Sequence, residues 1–335
     1  AGRGQSNPAA IRSLAHALGW PVIADHRSGL RDGTSLRFTD TFLRQNSDLK
    51  ARARRILRFG EPLSSKVLSQ WIQTVGRSDS DAVYQFTPWG RLINPERVAN
   101  QIPEFGAAEA IEAELHRRRV EPDQRWSQSW ELAIDDLEPS VSAVIAAFSI
   151  PNELQVASAA VTWVPPGGAL VVSSSMPIRD VEWFGPDRSD ISVYSNRGAN
   201  GIDGVIATAI GVATTGVPTV CLIGDIAFLH DSPSLTALAR RDIDLTIVVV
   251  DNDGGGIFSA LPQYELLGRE RYEQLFGTPH GTNLVRLAEA HELDVSPFPP
   301  DSAAVPTDGV RILIATTSRP ESLALRQRIA ALGQP

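Results

Sequence analysis

The chain has little of several residues and patterns that would otherwise define its class. It has a single cysteine, Cys221, inside an apolar stretch, which excludes an internal disulfide and fits a reducing compartment. No apolar run approaches the roughly eighteen residues that a membrane span requires. Residues 1–6 carry no apolar signal-peptide core. From these features we expect a cytoplasmic protein without a membrane span.

Lysine is also scarce, since Lys50 and Lys66 are the only two and the other basic residues are arginines. The net charge of −8 argues against nucleic acid as the main partner. Arginine binds carboxylates through two parallel hydrogen bonds, so its abundance suits an anionic small-molecule ligand. We interpret the arginine-rich stretch 52–58 as a solvated helix face.

The length and the hydrophobic pattern together predict the fold class. A chain of 335 residues with 42% hydrophobic residues is too long for one ordinary domain, so we expect two. Strand-like apolar runs alternate with helical segments, which predicts an α/β protein with two Rossmann-like parallel-sheet domains. Residues 1–125 form the first, without a Gly-x-Gly-x-x-Gly nucleotide motif; residues 126–150 are a helical linker region and 151–335 the second domain.

The predicted elements follow from the same pattern. In the first domain we expect strands at 21–25 and 82–86. In the second we expect strands at 169–173, 191–194, 218–223, 245–250 and 310–315, and a helix over 232–241. We expect the helical segment from residue 126 to break at Pro139.

Two oxygen-bearing side chains follow two of the predicted buried strands. Asp225 comes just after the run 218–223, and Asn252 follows the run 245–250, twenty-seven positions later. Adjacent strands of a parallel sheet end at the same edge, where ligands gather. Carboxylate, amide and main-chain carbonyl oxygens are the ligands that Mg²⁺ prefers, so we predict a metal site of Asp225, Asn252 and the carbonyl of Gly254.

Other interpretations of these loops exist. Gly-Asp and Asn-Asp-Gly are also ordinary turns after strands. Asp251 and Asp253 could ligate the metal in place of the amide, although extra carboxylates would repel a bound diphosphate. Gly254 and Gly255 would let the backbone approach such a diphosphate closely.

Four segments together resemble a known family. They are residues 174–179, 194–204, 225–231 and 254–258, and the spacing from Gly224-Asp225 to Asn252 is similar to the thiamine-diphosphate motif. In this order they resemble the MenD family, the thiamine-diphosphate enzymes of menaquinone biosynthesis, most densely from about residue 169 to 262. The resemblance implies that residues 1–125 are a middle domain and residues 151–335 the diphosphate- and metal-binding domain.

The resemblance also implies roles for individual residues. Ile202 would lie under the thiazolium ring of the cofactor, and Arg179 and Arg197 would bind substrate carboxylates. Ser175 would lie near the diphosphate or the reacting group. The remaining cofactor-binding residues would be Ile226, Ala227, Gly255, Ile257 and Phe258. We interpret His230 as a helix-start residue, and the other histidines, including His280, show no informative spacing.

The activity implied is the decarboxylation of 2-oxoglutarate followed by conjugate addition to isochorismate, with thiamine diphosphate and Mg²⁺ or Mn²⁺ as cofactors. The family resemblance also implies a homodimer or homotetramer with the active site between subunits. The glutamate that activates the cofactor would belong to a separate preceding domain, and Glu153 and the other glutamates considered show no suitable context. We therefore expect residues 1–335 to bind cofactor but to be inactive alone.

Three alternatives stay open at this point. Another carboligase or decarboxylase with the same cofactor, such as an acetolactate synthase, would share the metal motif. A nicotinamide-dependent dehydrogenase would share the parallel sheets, but the sequence lacks its Gly-rich fingerprint with a following acidic residue. A non-catalytic assembly fragment is the third.

Overall fold

The structure, a computed structural model, describes residues 1–4, 7–87, 93–148, 151–197, 200–236, 238–299 and 308–332. Gly198 and Ala199 of the predicted 194–204 segment lie outside the described residues. The chain divides into two compact units. The first holds Ala1–Ser142, Asp187–Ser189 and a stretch from Ala330, and the second holds Ala143–Pro186 and Asp190–Ile329. The domain boundaries at residues 125 and 150 stay a prediction.

The first unit is a small three-stranded parallel sheet with helices. The strands, in the order β1-β2-β3, are β1 (Ile56–Phe59), β2 (Val83–Thr87) and β3 (Asn100–Pro103). The helices are α1 (Pro8–Leu18), α2 (Thr39–Gln45), α3 (Ser47–Arg52), α4 (Lys66–Ser78), α5 (Ala107–Arg117) and α6 (Gln124–Ala146), whose last turn belongs to the second unit. Ile11 and Leu14 of α1 share a buried core with the stacked rings of Phe59 and Phe86.

Three expectations about this unit are wrong. Residues 21–25 form no strand. The stretch 52–58 is not a solvated helix face, because its second half enters β1 and Arg58 is buried there in an ion pair with Glu96 at 2.7 Å. Helix α6 continues through Pro139. Trp130, before the proline, and Val141, after it, are both buried, and their burial offsets the loss of the backbone hydrogen bond that proline cannot donate.

The second unit is a six-stranded sheet with every strand parallel. The order is β5-β4-β6-β7-β9-β8, from β4 (Ala169–Val172), β5 (Ser192–Tyr194), β6 (Thr219–Gly224), β7 (Leu245–Asp251), β8 (Asp294–Pro297) and β9 (Val310–Thr316). One buried apolar cluster covers each face of the sheet. The predicted parallel α/β fold is confirmed, and Cys221 is fully buried in β6.

The helices of the second unit surround this sheet. They are α7 (Glu153–Trp163), α8 (Met176–Phe184), α9 (Val205–Ala213), α10 (Asp225–His230), α11 (Gln263–Leu266), α12 (Arg269–Tyr272), α13 (Leu284–Glu289) and α14 (Arg319–Ala330). The described residues of the predicted helix over 232–241, which are 232–236 and 238–241, instead contain two short 3₁₀ turns, Ser232–Leu235 and Leu238–Arg240. His230 ends α10 rather than beginning a helix.

The strand order determines where a ligand can bind. After β4 the chain forms β5 on one side of β4 and then β6 on the other side. The connections that leave β4 and β6 therefore run in opposite directions along the sheet. In open parallel sheets the crevice outside the carboxyl ends of the strands at such a point is the usual ligand site. In this sheet that crevice lies at the carboxyl ends of β4 and β6, and β7 is the next strand beside β6.

Candidate active site

A cavity of about 390 Å³ opens at this crevice, and all its walls belong to the second unit. Every residue that the sequence predicted for the site lines it. The set is Ser175, Arg179, Arg197, Ile202, Asp225, Ile226, Ala227, Asn252, Gly254, Gly255, Ile257 and Phe258. The structure thus brings the predicted residues together, and their individual roles stay predictions.

Asp225 is the first residue of α10, directly after β6, and its carboxylate is buried. One of its oxygens accepts the backbone N–H groups of Asn252 at 3.1 Å and Gly254 at 2.9 Å, and the other accepts that of Ile226 at 2.7 Å. Burial raises the pKa of Asp225 above its usual range, although these backbone donors oppose the shift. A buried carboxylate held in this way is a favourable ligand for a cation.

The side-chain amide of Asn252 has a defined orientation. Its Nδ2 donates a hydrogen bond of 2.7 Å to Oε1 of Glu153. Its Oδ1 is buried and has no hydrogen-bond partner among the described residues. A buried amide oxygen without a partner costs free energy, so its presence in a residue whose backbone contacts Asp225 indicates a ligand that the oxygen is built to bind.

Gly254 and Gly255, in the loop after β7, pack closely against residues 276–277. A Cβ atom on Gly254 would lie 2.0 Å from the carbonyl oxygen of Gly277, and one on Gly255 would lie 2.4 Å from that of Phe276. Gly254 also has φ of +138°, a conformation that residues with side chains rarely adopt. The sequence indicated close approach to a diphosphate, but the approach that the structure shows is to residues 276–277.

A histidine joins the carboxylates at this edge. Nε2 of His280 lies 3.4 Å from a carboxylate oxygen of Asp225 and 3.8 Å from one of Asp251, and all three residues offer ligand atoms within 4.8 Å of one another. The carboxylate of Asp253 instead accepts the backbone N–H groups of His280 and Gly281, which fixes the loop. Asp225, Asp251 and His280 therefore form a second possible metal set, but Mg²⁺ prefers oxygen ligands to imidazole.

The two predicted carboxylate-binding arginines also line the cavity. Arg179, in α8, donates a hydrogen bond from Nη1 to the carbonyl oxygen of Ser175, and Arg197 follows β5. Ser175 has φ of +74°, an unusual conformation for a residue with a side chain. Strain of this kind concentrates at functional sites, where the surrounding fold enforces it.

Two apolar side chains remain exposed inside the cavity. Ile202 is 38% exposed and Phe258 is 39% exposed, and both line the cavity. The segment that carries Ile202 is held by Asn196, whose amide donates to the carbonyl of Gly204 and to Thr208. Accessible apolar surface on a fixed loop fits contact with the ring of an organic ligand.

The residues that sequence reasoning missed include Glu153, which lines the cavity, and His280, which contacts Asp225. Asn152 and Gln155 form a capping box that places Glu153 in the first turn of α7, and such a box is detectable in sequence. Nothing in the sequence shows that this helix begins against the carboxyl edge of the sheet. His280 is 28 positions from Asn252, and only the folding of the 276–281 loop brings it to Asp225.

Comparison with known proteins agrees with the fold. Residues 1–172 match the family described as the middle domain of thiamine pyrophosphate, and residues 183–304 match that described as thiamine pyrophosphate enzyme, C-terminal TPP binding domain. The chain belongs to the thiamine pyrophosphate enzymes, and thiamine diphosphate with a divalent metal ion is its cofactor.

Three similar curated proteins carry the name 2-succinyl-5-enolpyruvyl-6-hydroxy-3-cyclohexene-1-carboxylate synthase. The chain is 39% identical to that of Myxococcus xanthus over 84% of this chain and 48% of the relative. It is 37% identical to that of Bacillus cytotoxicus (81% and 47%) and 33% identical to that of a Nocardioides species (96% and 61%). The chain thus spans about half the length of the curated relatives it matches. Among the described helices, none is long and apolar enough to cross a membrane.

The residues present fit the cofactor. The buried carboxylate of Asp225 and the Asn252 amide oxygen, which has no partner in the described part of the chain, offer a metal two oxygen ligands, and the carbonyl of Gly254 lies in the same loop as Asn252. Arg179 and Arg197 line the same cavity, which also exposes apolar side chains. This combination suits an organic diphosphate held through a divalent cation.

Proposed function

We propose that the chain is part of a 2-succinyl-5-enolpyruvyl-6-hydroxy-3-cyclohexene-1-carboxylate synthase. The reaction is the decarboxylation of 2-oxoglutarate and the conjugate addition of the resulting four-carbon unit to isochorismate. The observation that carries this proposal is the cavity where metal-type oxygen ligands, two arginines and exposed apolar side chains meet. Relatives that are 33–39% identical and bear this enzyme's name support it.

Each part of the cavity has a role in this proposal. Asp225, Asn252 and the carbonyl of Gly254 would hold Mg²⁺ or Mn²⁺, which binds the diphosphate of the cofactor. Arg179 and Arg197 would hold the carboxylates of the two anionic substrates in two-pronged contacts. Thiamine diphosphate, when bound, supplies the electron sink for the charge left by the loss of CO₂.

The apolar and strained residues would complete the site. Ile202 and Phe258 would pack against the cofactor ring and limit access of water to the reacting atoms. Ser175 would place its hydroxyl near the diphosphate or the reacting group. Holding both substrates in one orientation supplies much of the rate enhancement in reactions of this kind.

The state of the protein is part of the proposal. We propose a cytoplasmic homodimer or homotetramer, in which a second subunit completes the active site. Glu153 is the one glutamate among the described residues that line the cavity, and it is bound to Asn252 and Arg326. It is therefore not available to protonate a cofactor ring, and we expect residues 1–335 alone not to turn over 2-oxoglutarate.

The test is CO₂ release from 2-oxoglutarate by the natural full-length polypeptide, with thiamine diphosphate and Mg²⁺, in the presence and absence of isochorismate. We expect product formation that requires both substrates and is lost in Asp225→Ala. Asp244→Ala, which changes a carboxylate outside the cavity lining, serves as the matched control. Consumption of pyruvate in place of 2-oxoglutarate would instead favour an acetolactate-synthase-like enzyme.

A further inference from the structure

Glu153 lines the cavity and connects three elements, namely α7, the loop after β7 and α14. It is the first residue of α7, and its carboxylate is buried. Its Oε1 accepts the hydrogen bond from Nδ2 of Asn252 at 2.7 Å, and its Oε2 accepts one from Nη2 of Arg326 at 2.9 Å. Both oxygens are therefore engaged by donors from the β7 loop and from α14.

Arg326 is held in turn by a second carboxylate, that of Asp180. Arg326 of α14 also binds both oxygens of Asp180 in α8. All three groups of this ionic cluster are largely buried, with the Glu153 and Asp180 side chains at 4% and 3% exposure. A carboxylate clamped by a buried guanidinium has little freedom to rotate, so it presents Oε1 to Asn252 in a constant position.

The chemistry of the pair determines the orientation of the amide. The two ends of an asparagine amide have nearly the same size, and hydrogen bonding decides which end faces which neighbour. A carboxylate accepts hydrogen bonds and donates none, so the NH₂ end of Asn252 must face Glu153. The oxygen end then points the other way, and this is the buried Oδ1 without a partner among the described residues.

We propose that Glu153 is a positioning residue for metal binding, which turns the Asn252 amide so that its oxygen faces the metal. The backbone of Asn252 is held independently, because its N–H donates to Asp225 and its carbonyl accepts from Nε of Arg319 at 3.1 Å. The side-chain rotation is thus the degree of freedom that Glu153 controls. This inference rests on the proposed metal site of Asp225 and Asn252.

The experiment exchanges the carboxylate of Glu153 and the amide of Asn252 between the two positions. Apparent Mn²⁺ affinity is measured by electron paramagnetic resonance on the natural full-length polypeptide, stripped of metal, in the presence of thiamine diphosphate. The variants are Glu153→Ala, Glu153→Gln, Asn252→Asp and the double variant Glu153→Gln/Asn252→Asp. Circular dichroism and thermal unfolding of the metal-free proteins establish that each is folded.

The expected pattern follows from donors and acceptors. Glu153→Ala leaves the amide free to turn, and we expect Mn²⁺ affinity to fall by more than tenfold. Asn252→Asp alone places two carboxylates in contact, so we expect a loss of similar size. In the double variant the introduced amide at position 153 can donate to the introduced carboxylate at position 252, and affinity should return to within about fivefold of wild type.

Two controls separate this role from a structural one. Asp180→Asn removes a charge from the ionic cluster but keeps an oxygen that can accept from Arg326, and it leaves the Glu153–Asn252 hydrogen bond in place, so we expect it to change Mn²⁺ affinity less than threefold. If the double variant binds Mn²⁺ no better than Asn252→Asp, or if Glu153→Ala binds like wild type, the positioning role is wrong. Asp225→Ala tests the metal site itself, and unchanged Mn²⁺ binding in that variant would overturn both the site and this inference.

Discussion

At the scale of single residues, the site depends on contacts between the residues that follow the carboxyl ends of β6 and β7. One oxygen of Asp225 accepts two backbone N–H groups from the β7 loop, so the carboxylate organises that loop before any ligand binds. Pre-organised ligands lose little conformational entropy on binding a metal. The same contacts distinguish the turn at residues 252–254 from an ordinary turn after a strand, because Asp225 binds its backbone.

The loop glycine Gly254 provides a test of this arrangement. In Gly254→Ala the new Cβ would meet the carbonyl of Gly277, in a backbone conformation that alanine disfavours. We expect unfolding free energy to fall by about 1–3 kcal/mol and Mn²⁺ affinity to fall at least tenfold. Denaturant unfolding and Mn²⁺ titration measure the two effects.

The matched control is Gly216→Ala. Gly216 also has positive φ, +83°, but no atom lies within 4 Å of the position that an added Cβ would take. It should lose about 1 kcal/mol through backbone strain alone and keep its metal affinity. Equal metal affinity in the two variants would show that the contact at residues 276–277 has no part in the site.

Arg197 tests the arginine wall of the cavity. Loss of a carboxylate contact from a guanidinium typically costs about 2–5 kcal/mol when it leaves a buried charge unpaired. We expect Arg197→Ala in the full-length enzyme to lose more than tenfold in kcat/KM while thiamine diphosphate still binds. Steady-state kinetics and cofactor titration measure these, with the exposed Arg240→Ala as control. Wild-type kinetics in Arg197→Ala would remove this residue from the site.

At the scale of elements, burial determines which predictions succeed. Strands β4, β6, β7 and β9 are predicted from sequence to within a residue or so, because parallel strands covered on both faces are continuous apolar runs. Strands β1, β3 and β8 escape prediction because they are four residues long and contain arginine, asparagine, glutamine or aspartate. Their pairing with a neighbouring strand decides their conformation, and local sequence does not report it.

Helix α9 gives an element-scale prediction. Gly211 lies within this helix, is exposed, and has no atom within 4 Å of an added Cβ. Alanine restricts the unfolded chain more than glycine does, so Gly211→Ala should raise the unfolding free energy by about 0.5–1 kcal/mol.

Gly76 of α4 is the contrasting helical glycine. An added Cβ there would lie 2.6 Å from the side chain of Val98, so Gly76→Ala should destabilise the protein. Thermal unfolding followed by circular dichroism compares the two variants. Destabilisation by Gly211→Ala would mean that the surroundings of α9 differ from those described.

At the scale of the whole molecule, the second unit buries a small ionic cluster. Asp180 and Glu153 share the single guanidinium of Arg326, so two carboxylates face one cation with little solvent. Burial raises the pKa of Asp180 to about 6, although Arg326 opposes the shift. We attribute the direction to desolvation and to the neighbouring carboxylate, since one cation cannot neutralise both.

A raised carboxyl pKa makes stability depend on pH in a defined direction. The folded state holds the proton on Asp180 more tightly than the unfolded state, so this group stabilises the fold at low pH. That contribution is lost as the pH rises from about 4 to about 6. Asp180→Asn cannot titrate. We expect the stability of the wild type relative to Asp180→Asn to rise by about 1–3 kcal/mol as pH falls from 7 to 4.

Calorimetric unfolding of both metal-free proteins across this pH range is the measurement. If the ion pair with Arg326 dominated instead, the pKa would be lowered, and the relative stability of the wild type would fall on acidification below about pH 4. That result would reverse the assignment of desolvation as the main cause.

The sequence by itself determined the parallel α/β fold, the two strand-end turns that carry Asp225 and Asn252, and the family. These features are local, because a buried strand needs an apolar run and the proposed metal loop needs oxygen ligands and glycines at short range. Tertiary structure alone decided the contacts of Glu153 and His280, which are 99 and 28 residues from Asn252 along the chain. The orientation of an amide depends on the hydrogen-bond partner that folding brings to it, and no local pattern encodes that partner.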